Sequence, residues 1–172
     1  MGFFSSLFGG GSDNSPAYSK NDSAQVWPAK FLTMAITEVG KETVDANELR
    51  NVIGPLFPYL TDEDYSNVAE SVADMNDLVL RSSTEWDDLW DNFCSQLSDY
   101  KNSESFEIVR IVSNTSFSIK MVEEMEEVAE NFVYRFAKHL EKYSTVSKAD
   151  LIAIMEEEKE NSGYNNYLNN LG

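Results

Sequence analysis

An imidazole base is available at one position of this 172-residue chain, His139, and a thiol at one position, Cys94. Nucleophilic catalysis needs a hydroxyl or thiol held beside such a base. His139 falls between the apolar positions Phe136 and Leu140, near Arg135 and Glu141, and no glycine-flanked serine elbow accompanies it, so it reads as a packed or surface histidine. Cys94 lies on an apolar helical stripe and has no partner thiol in the chain. It reads as a small core residue in reducing, cytoplasmic surroundings, with no disulfide and no cysteine-based zinc site within one subunit.

Carboxylates are the abundant reactive groups. A di-iron helical bundle requires Glu-x-x-His on two helices, which one histidine cannot supply. Calcium is tested by counting. Val44, Glu48 and Leu49 match late positions of an EF-hand loop, but the early ligand positions then fall on Thr37, Val39 and Lys41, and on His139, Glu141 and Tyr143 in a second copy. Neither set offers the side-chain oxygens that the loop needs. The acidic runs at 123–130 and 156–160 read as solvated faces. Gly9-Gly10-Gly11 is not followed by Lys-Ser or Lys-Thr and follows no strand, so it is no phosphate cradle. No catalytic residue, cofactor or metal site is expected, and a carboxylate enzyme would need a concave site that sequence does not display.

The elements that must position these residues are helical. Met121, Val122, Met125, Val128, Ala129, Phe132, Phe136, Leu140 and Tyr143 recur at three-and-four spacing and predict one long helix from Ser118 to Tyr143. A polar break follows, then Ser147-Lys-Ala-Asp150, whose end residues can satisfy each other's loose backbone donors at a helix start. The same pattern occurs earlier, with Phe31 to Ile36, Gly40, and then Asp45-Ala-Asn-Glu48. Thr43 to Leu49 aligns without a gap on Thr145 to Leu151, which predicts two pseudo-repeated helix-turn-helix units.

Between them, a first helix starts near Pro28 and a second ends at Gly54-Pro55. Thr61-Asp-Glu-Asp64 caps a third, which runs to about Leu80, and Trp86, Leu89, Trp90, Phe93, Cys94, Leu97 and Tyr100 form the sharpest apolar stripe of the chain, assigned to the core. Residues 106–122 can be written as a helix or as a small β-hairpin, and the helical surroundings favour helix. The expected fold is all-α, a single bundle of about six helices. Residues 1–22 form a flexible aromatic and glycine-rich arm, 23–160 the acidic domain, and 161–172 a polar tail that frays or makes one terminal turn.

The start Met1-Gly-Phe-Phe-Ser-Ser-Leu-Phe8, the helix before Thr43-Val44-Asp45-x-x-Glu48-Leu49, and the echo at Thr145-Val146-Ser147-x-x-Asp150-Leu151 resemble the tellurite-resistance TerB-like domains over about residues 24 to 160. The resemblance implies an all-helical, non-enzymatic, stress- or membrane-associated interaction module. Glu42-Thr43 and Ser144-Thr145 stand where that family typically carries Asp-Gly, so its suggested metal binding is not carried over.

Charge narrows the partners. With 13 basic against 30 acidic residues the net charge is −17, which repels phosphate backbones and anionic headgroups. Direct nucleic-acid binding is therefore not expected, and basic or apolar-groove-bearing protein partners are. Phe3, Phe4, Leu7 and Phe8 make the arm a sticky tip for a partner or for peripheral membrane contact, and Met1-Gly2 to Ser6 also fits the short myristoylation pattern without a basic second signal. The first expectation is a scaffold or interaction module that binds through this arm or a groove between helices. The alternative is an acidic decoy that presents Asp87, Asp88, Asp91 and Asp99 to the basic site of a nucleic-acid-binding protein.

Overall fold

The computed structural model describes residues 14–15, 18–19, 22–40, 46–73 and 83–171. Within them the fold is an all-α bundle, with one antiparallel pairing of Asn14–Ser15 with Tyr18–Ser19 outside it. Eight α-helices lie among the described residues: α1 Val26–Gly40, α2 Ala46–Ile53, α3 Asp62–Ala73, α4 Ser83–Ser95, α5 Asn102–Lys120, α6 Glu126–Tyr143, α7 Lys148–Asn161 and α8 Tyr164–Leu171.

The centre of the bundle is α1. Ser23 opens it, its hydroxyl accepting from the Val26 amide at 3.2 Å, and Pro28 follows within the first turn, where a missing donor costs nothing. Nearly every residue from Val26 to Thr37 is buried, which is the pattern of a helix enclosed on all sides. The helix packs on α2, α3, α5 and α6. Trp27 stacks on Phe31 and Phe93, with ring centroids 5.1 and 4.9 Å away, and Phe31 meets Trp90, Phe132 and Phe136 edge-on. Two threonines inside this apolar helix are satisfied locally: Thr33 donates to the Ala29 carbonyl at 2.7 Å and Thr37 to that of Thr33 at 2.9 Å. One ion pair is sealed in beside them. Lys30 donates to both Asp22 oxygens at 2.8 Å, with both side chains 1% exposed.

Capping chemistry sets the boundaries. Thr61 and Asp64 exchange hydrogen bonds, Thr61 N to Oδ2 at 2.8 Å and Asp64 N to Oγ1 at 3.2 Å, and Ser147 accepts from the Asp150 amide at 3.2 Å. The corresponding Asp45-Glu48 cap and the expected continuation of α3 to Leu80 lie outside the described residues. Helix α2 ends at Ile53, and the turn that follows takes glycine at 54, where a Cβ would meet the Arg50 carbonyl oxygen at 2.4 Å. As expected for a core stripe, Trp86, Leu89, Trp90, Phe93, Cys94 and Leu97 are all buried.

Two features differ from the sequence reading, and a choice it left open is decided for the helix it favoured. The long helix from Ser118 to Tyr143 is two helices. Lys120 ends α5, Val122 is extended at φ −108°, ψ 109°, and a 3₁₀ turn, Glu123–Met125, leads into α6. The break places Glu126 and Glu127 in a helical first turn, where the backbone dipole favours them, instead of in mid-helix, where Glu123, Glu124, Glu126 and Glu127 would repel at helical spacing. The hairpin alternative for 106–122 gives way to helix α5. Glu104 caps it by accepting from Lys101 N at 3.0 Å, and the Ser116 and Ser118 hydroxyls turn back to the Val112 and Asn114 carbonyls at 2.6 and 3.0 Å. Second, the polar C-terminal stretch holds the helix α8, launched by Gly163 at φ 77° and docked where Tyr164 lies 5.2 Å from the Phe117 ring.

Candidate functional site

Of the residues singled out for partner binding, Phe3, Phe4, Leu7 and Phe8 lie outside the described residues. The carboxylates on α4 are placed, and two of them turn toward α6. Asp87 accepts from Arg135 Nη1 at 2.6 Å. Asp91 accepts from Lys142 Nζ at 2.8 and 2.9 Å and from the Tyr143 hydroxyl at 2.6 Å. Burial pushes the Asp91 carboxyl upward, but these hydrogen bonds outweigh it and hold the group below its ordinary value. Asp88 is exposed, as Asp87 is, but makes no ion pair with another described residue.

His139 sits behind this seam and is 1% exposed. Its ring lies between Trp90 and Tyr143, with centroids 6.4 and 6.3 Å away and planes nearly parallel. Neither ring nitrogen hydrogen-bonds to another described residue, and the nearest carboxylate oxygen, on Asp91, is 3.7 Å from Nδ1. Burial first, then the Lys138 ammonium, lower its pKa to about 4, with Asp91 opposing. Burial likewise raises the Cys94 thiol well above its usual range, aided by Asp91. A neutral imidazole and a protonated, enclosed thiol are placed for packing, and among the described residues no group of three His, Cys, Asp or Glu side chains could hold a metal ion.

A residue that the sequence reading passed over ties the seam to the core. Glu38, at the end of α1, accepts from Trp90 Nε1 at 3.0 Å, from Asn131 Nδ2 at 2.8 Å and from Arg135 through Nε at 3.3 Å and through Nη2. The Arg135 guanidinium also lies 5.5 Å over the Trp90 ring. Three helices are thus fastened through one carboxylate. The available signal was a lone acid at the end of an otherwise apolar helix.

A concave feature among the described residues is a groove where α5, α6 and α7 meet. Helix α5 contributes Ser113, Ser116, Phe117 and Lys120, α6 contributes Val133, Phe136, Ala137 and Leu140, and α7 contributes Leu151 and Met155, around a cavity of about 90 Å³. The floor is buried core (Phe117, Phe136, Leu140), whereas Ala137 and Met155 at the rim are exposed, as is Ile152 one helical turn from Met155. Ser116 is already bonded to Val112, so the floor presents little unmet polarity. Lys120 stands over one edge, its Nζ 6.0 Å from the Phe117 ring, and makes no ion pair with a described residue. Such a lining can desolvate an apolar group, with the Lys120 ammonium as the one charged group on it.

No protein-family model, curated protein or solved structure matches the chain. No helix among the described residues is long and apolar enough to cross a membrane.

Proposed function

We propose that the chain is a non-enzymatic protein-interaction module in which the groove between α5, α6 and α7 receives an apolar side chain of a partner protein. The observation that carries the reading is an apolar slot on the surface of a bundle in which the other groups singled out among the described residues, Asp87, Asp91 and His139, are paired or enclosed. The proposal retains the TerB-like resemblance as its setting: a cytoplasmic or membrane-peripheral scaffold, built from the diverged helix-turn-helix units α1–α2 and α6–α7, in which the aromatic arm can add a second contact. The acidic-decoy alternative is weakened because Asp87 and Asp91 are already paired with Arg135 and Lys142.

The test is site-directed photo-crosslinking in source-cell lysate, with the reactive group placed at Met155 in one sample and at Phe4 in another. A protein captured from position 155 and lost when Ala137→Met fills the slot supports the groove. Capture from position 4 alone moves recognition to the arm, and capture from neither position that is strong at low salt and lost at high salt, read by conventional pull-down, returns the decoy.

A further inference from the structure

Resting on the groove reading, we propose that the slot selects a peptide segment presenting one aliphatic side chain with an acidic residue beside it, the first buried against Phe117 and Phe136 and the second paired with Lys120. Size comes first. Sites for drug-sized ligands and cofactors span roughly 300–1,000 Å³, and benzene fills an apolar cavity of about 150 Å³. A cavity of about 90 Å³ is smaller than either and has the room of a single branched aliphatic side chain. Shape agrees, because the slot opens between helices with Met155 and Ile152 continuing the apolar surface along α7, as needed for an occupant that carries on beyond its anchor.

Charge fixes the second element. Lys120 makes no ion pair with any described residue, unlike Lys30 and Lys142, and of the described lysines it is the one that lines the apolar slot. At physiological ionic strength charges beyond about 8 Å are largely screened, so an occupant beside the slot feels Lys120, with Glu123 and Glu124 of the following turn opposing it, more than the overall sign. An acidic neighbour of the anchor gains Lys120, whereas a basic one meets it as a like charge. The aromatic tip of the arm does not meet the requirement, since residues 1 to 12 contain aromatic and aliphatic anchors but no Asp or Glu.

A randomised peptide library displayed on phage and selected on the full-length protein tests this, with the enriched peptides then synthesised and titrated by fluorescence anisotropy. Enrichment of Leu, Ile, Val or Met next to Asp or Glu is expected. Affinity should fall roughly tenfold or more in Ala137→Met, which fills the slot from an exposed position, and about three- to tenfold in Lys120→Glu, with the latter difference shrinking at high salt. Peptides that lose affinity in Ala137→Met but show no acidic preference and ignore Lys120→Glu would overturn the selectivity while leaving the groove as an interaction site. Binders indifferent to Ala137→Met, or no enrichment at all, would overturn the proposal and the groove reading with it. Enrichment seen only after deletion of residues 1 to 12 would make the arm the occupant and overturn the acid requirement. Thermal unfolding of each variant checks that the fold is intact.

Discussion

His139 makes the stability of this bundle sensitive to mild acid. The imidazole is enclosed between Trp90 and Tyr143, and its pKa is lowered from 6.5 to about 4 by burial and by the Lys138, Arg135 and Lys142 cations of α6, with only Asp91 of α4 opposing. The unfolded chain therefore binds a proton on this group that the folded chain refuses, so stability falls as pH drops from about 6.5 toward 4. The full span corresponds to about 3 kcal/mol at about 1.4 kcal/mol per pH unit, of which about 2 kcal/mol is lost by pH 5. Asp91 stays ionised through that window because Lys142 and Tyr143 hold its pKa down, so its own titration does not mimic the effect. The measurement is urea unfolding followed by tryptophan fluorescence at pH 7.5 and pH 5, on wild type and on His139→Leu. Other carboxylates titrate equally in both proteins. Wild type should lose about 2 kcal/mol more than the variant between the two conditions, and equal losses would show that the buried imidazole accepts its proton without penalty.

Trp90→Ala should destabilise the fold by about 3–5 kcal/mol in the same assay, because it empties a fully buried site and removes one donor from Glu38; an unchanged midpoint would place the ring outside the core. Asp22→Ala should cost about 3–5 kcal/mol by leaving Lys30 buried without its carboxylate, whereas the pair Asp22→Ala, Lys30→Met should recover most of that loss, which a double-mutant cycle reads directly. Gly163→Ala should cost about 1–2 kcal/mol through its φ of 77° alone, since an added Cβ would meet nothing within 4 Å; the thermal midpoint of α8 docking, followed through Tyr164 and Tyr167, checks it.

The helices that bury an apolar stripe were legible because burial imposes its period on the sequence. Trp86 to Leu97 and Phe132 to Leu140 announce their inner faces, and Thr61-Asp64 and Ser147-Asp150 announce their starts through side chains that reach their own backbone. The division of the Ser118–Tyr143 run was not legible, because its apolar period passes through Val122 unbroken, whereas the gain of Glu126 and Glu127 from a helix start leaves no mark on that period. The C-terminal helix was missed for a related reason. Its asparagine-rich sequence has weak helical propensity, and it is held by a tertiary contact between Tyr164 and Phe117 that no local pattern records.

The candidate site was less legible than the fold, and the reason separates two kinds of information. Counting carboxylates along α4 gives their spacing but not their partners, so Asp87 and Asp91 looked like a ligand array until α6 supplied Arg135 and Lys142 from about fifty residues away. The groove had a subtler signature. Val133 and Ala137 lie four apart and just beyond the Phe132–Phe136 stripe, which widens the apolar face of α6 past its contacts with α1 and α4 to reach α5, and Ala137 is left exposed. A stripe that exceeds what its neighbours cover leaves apolar surface at its edge. Here that edge meets α5 and α7 around a small slot with Lys120 at its rim, and the excess width of an amphipathic stripe thus carries information about binding that its period does not.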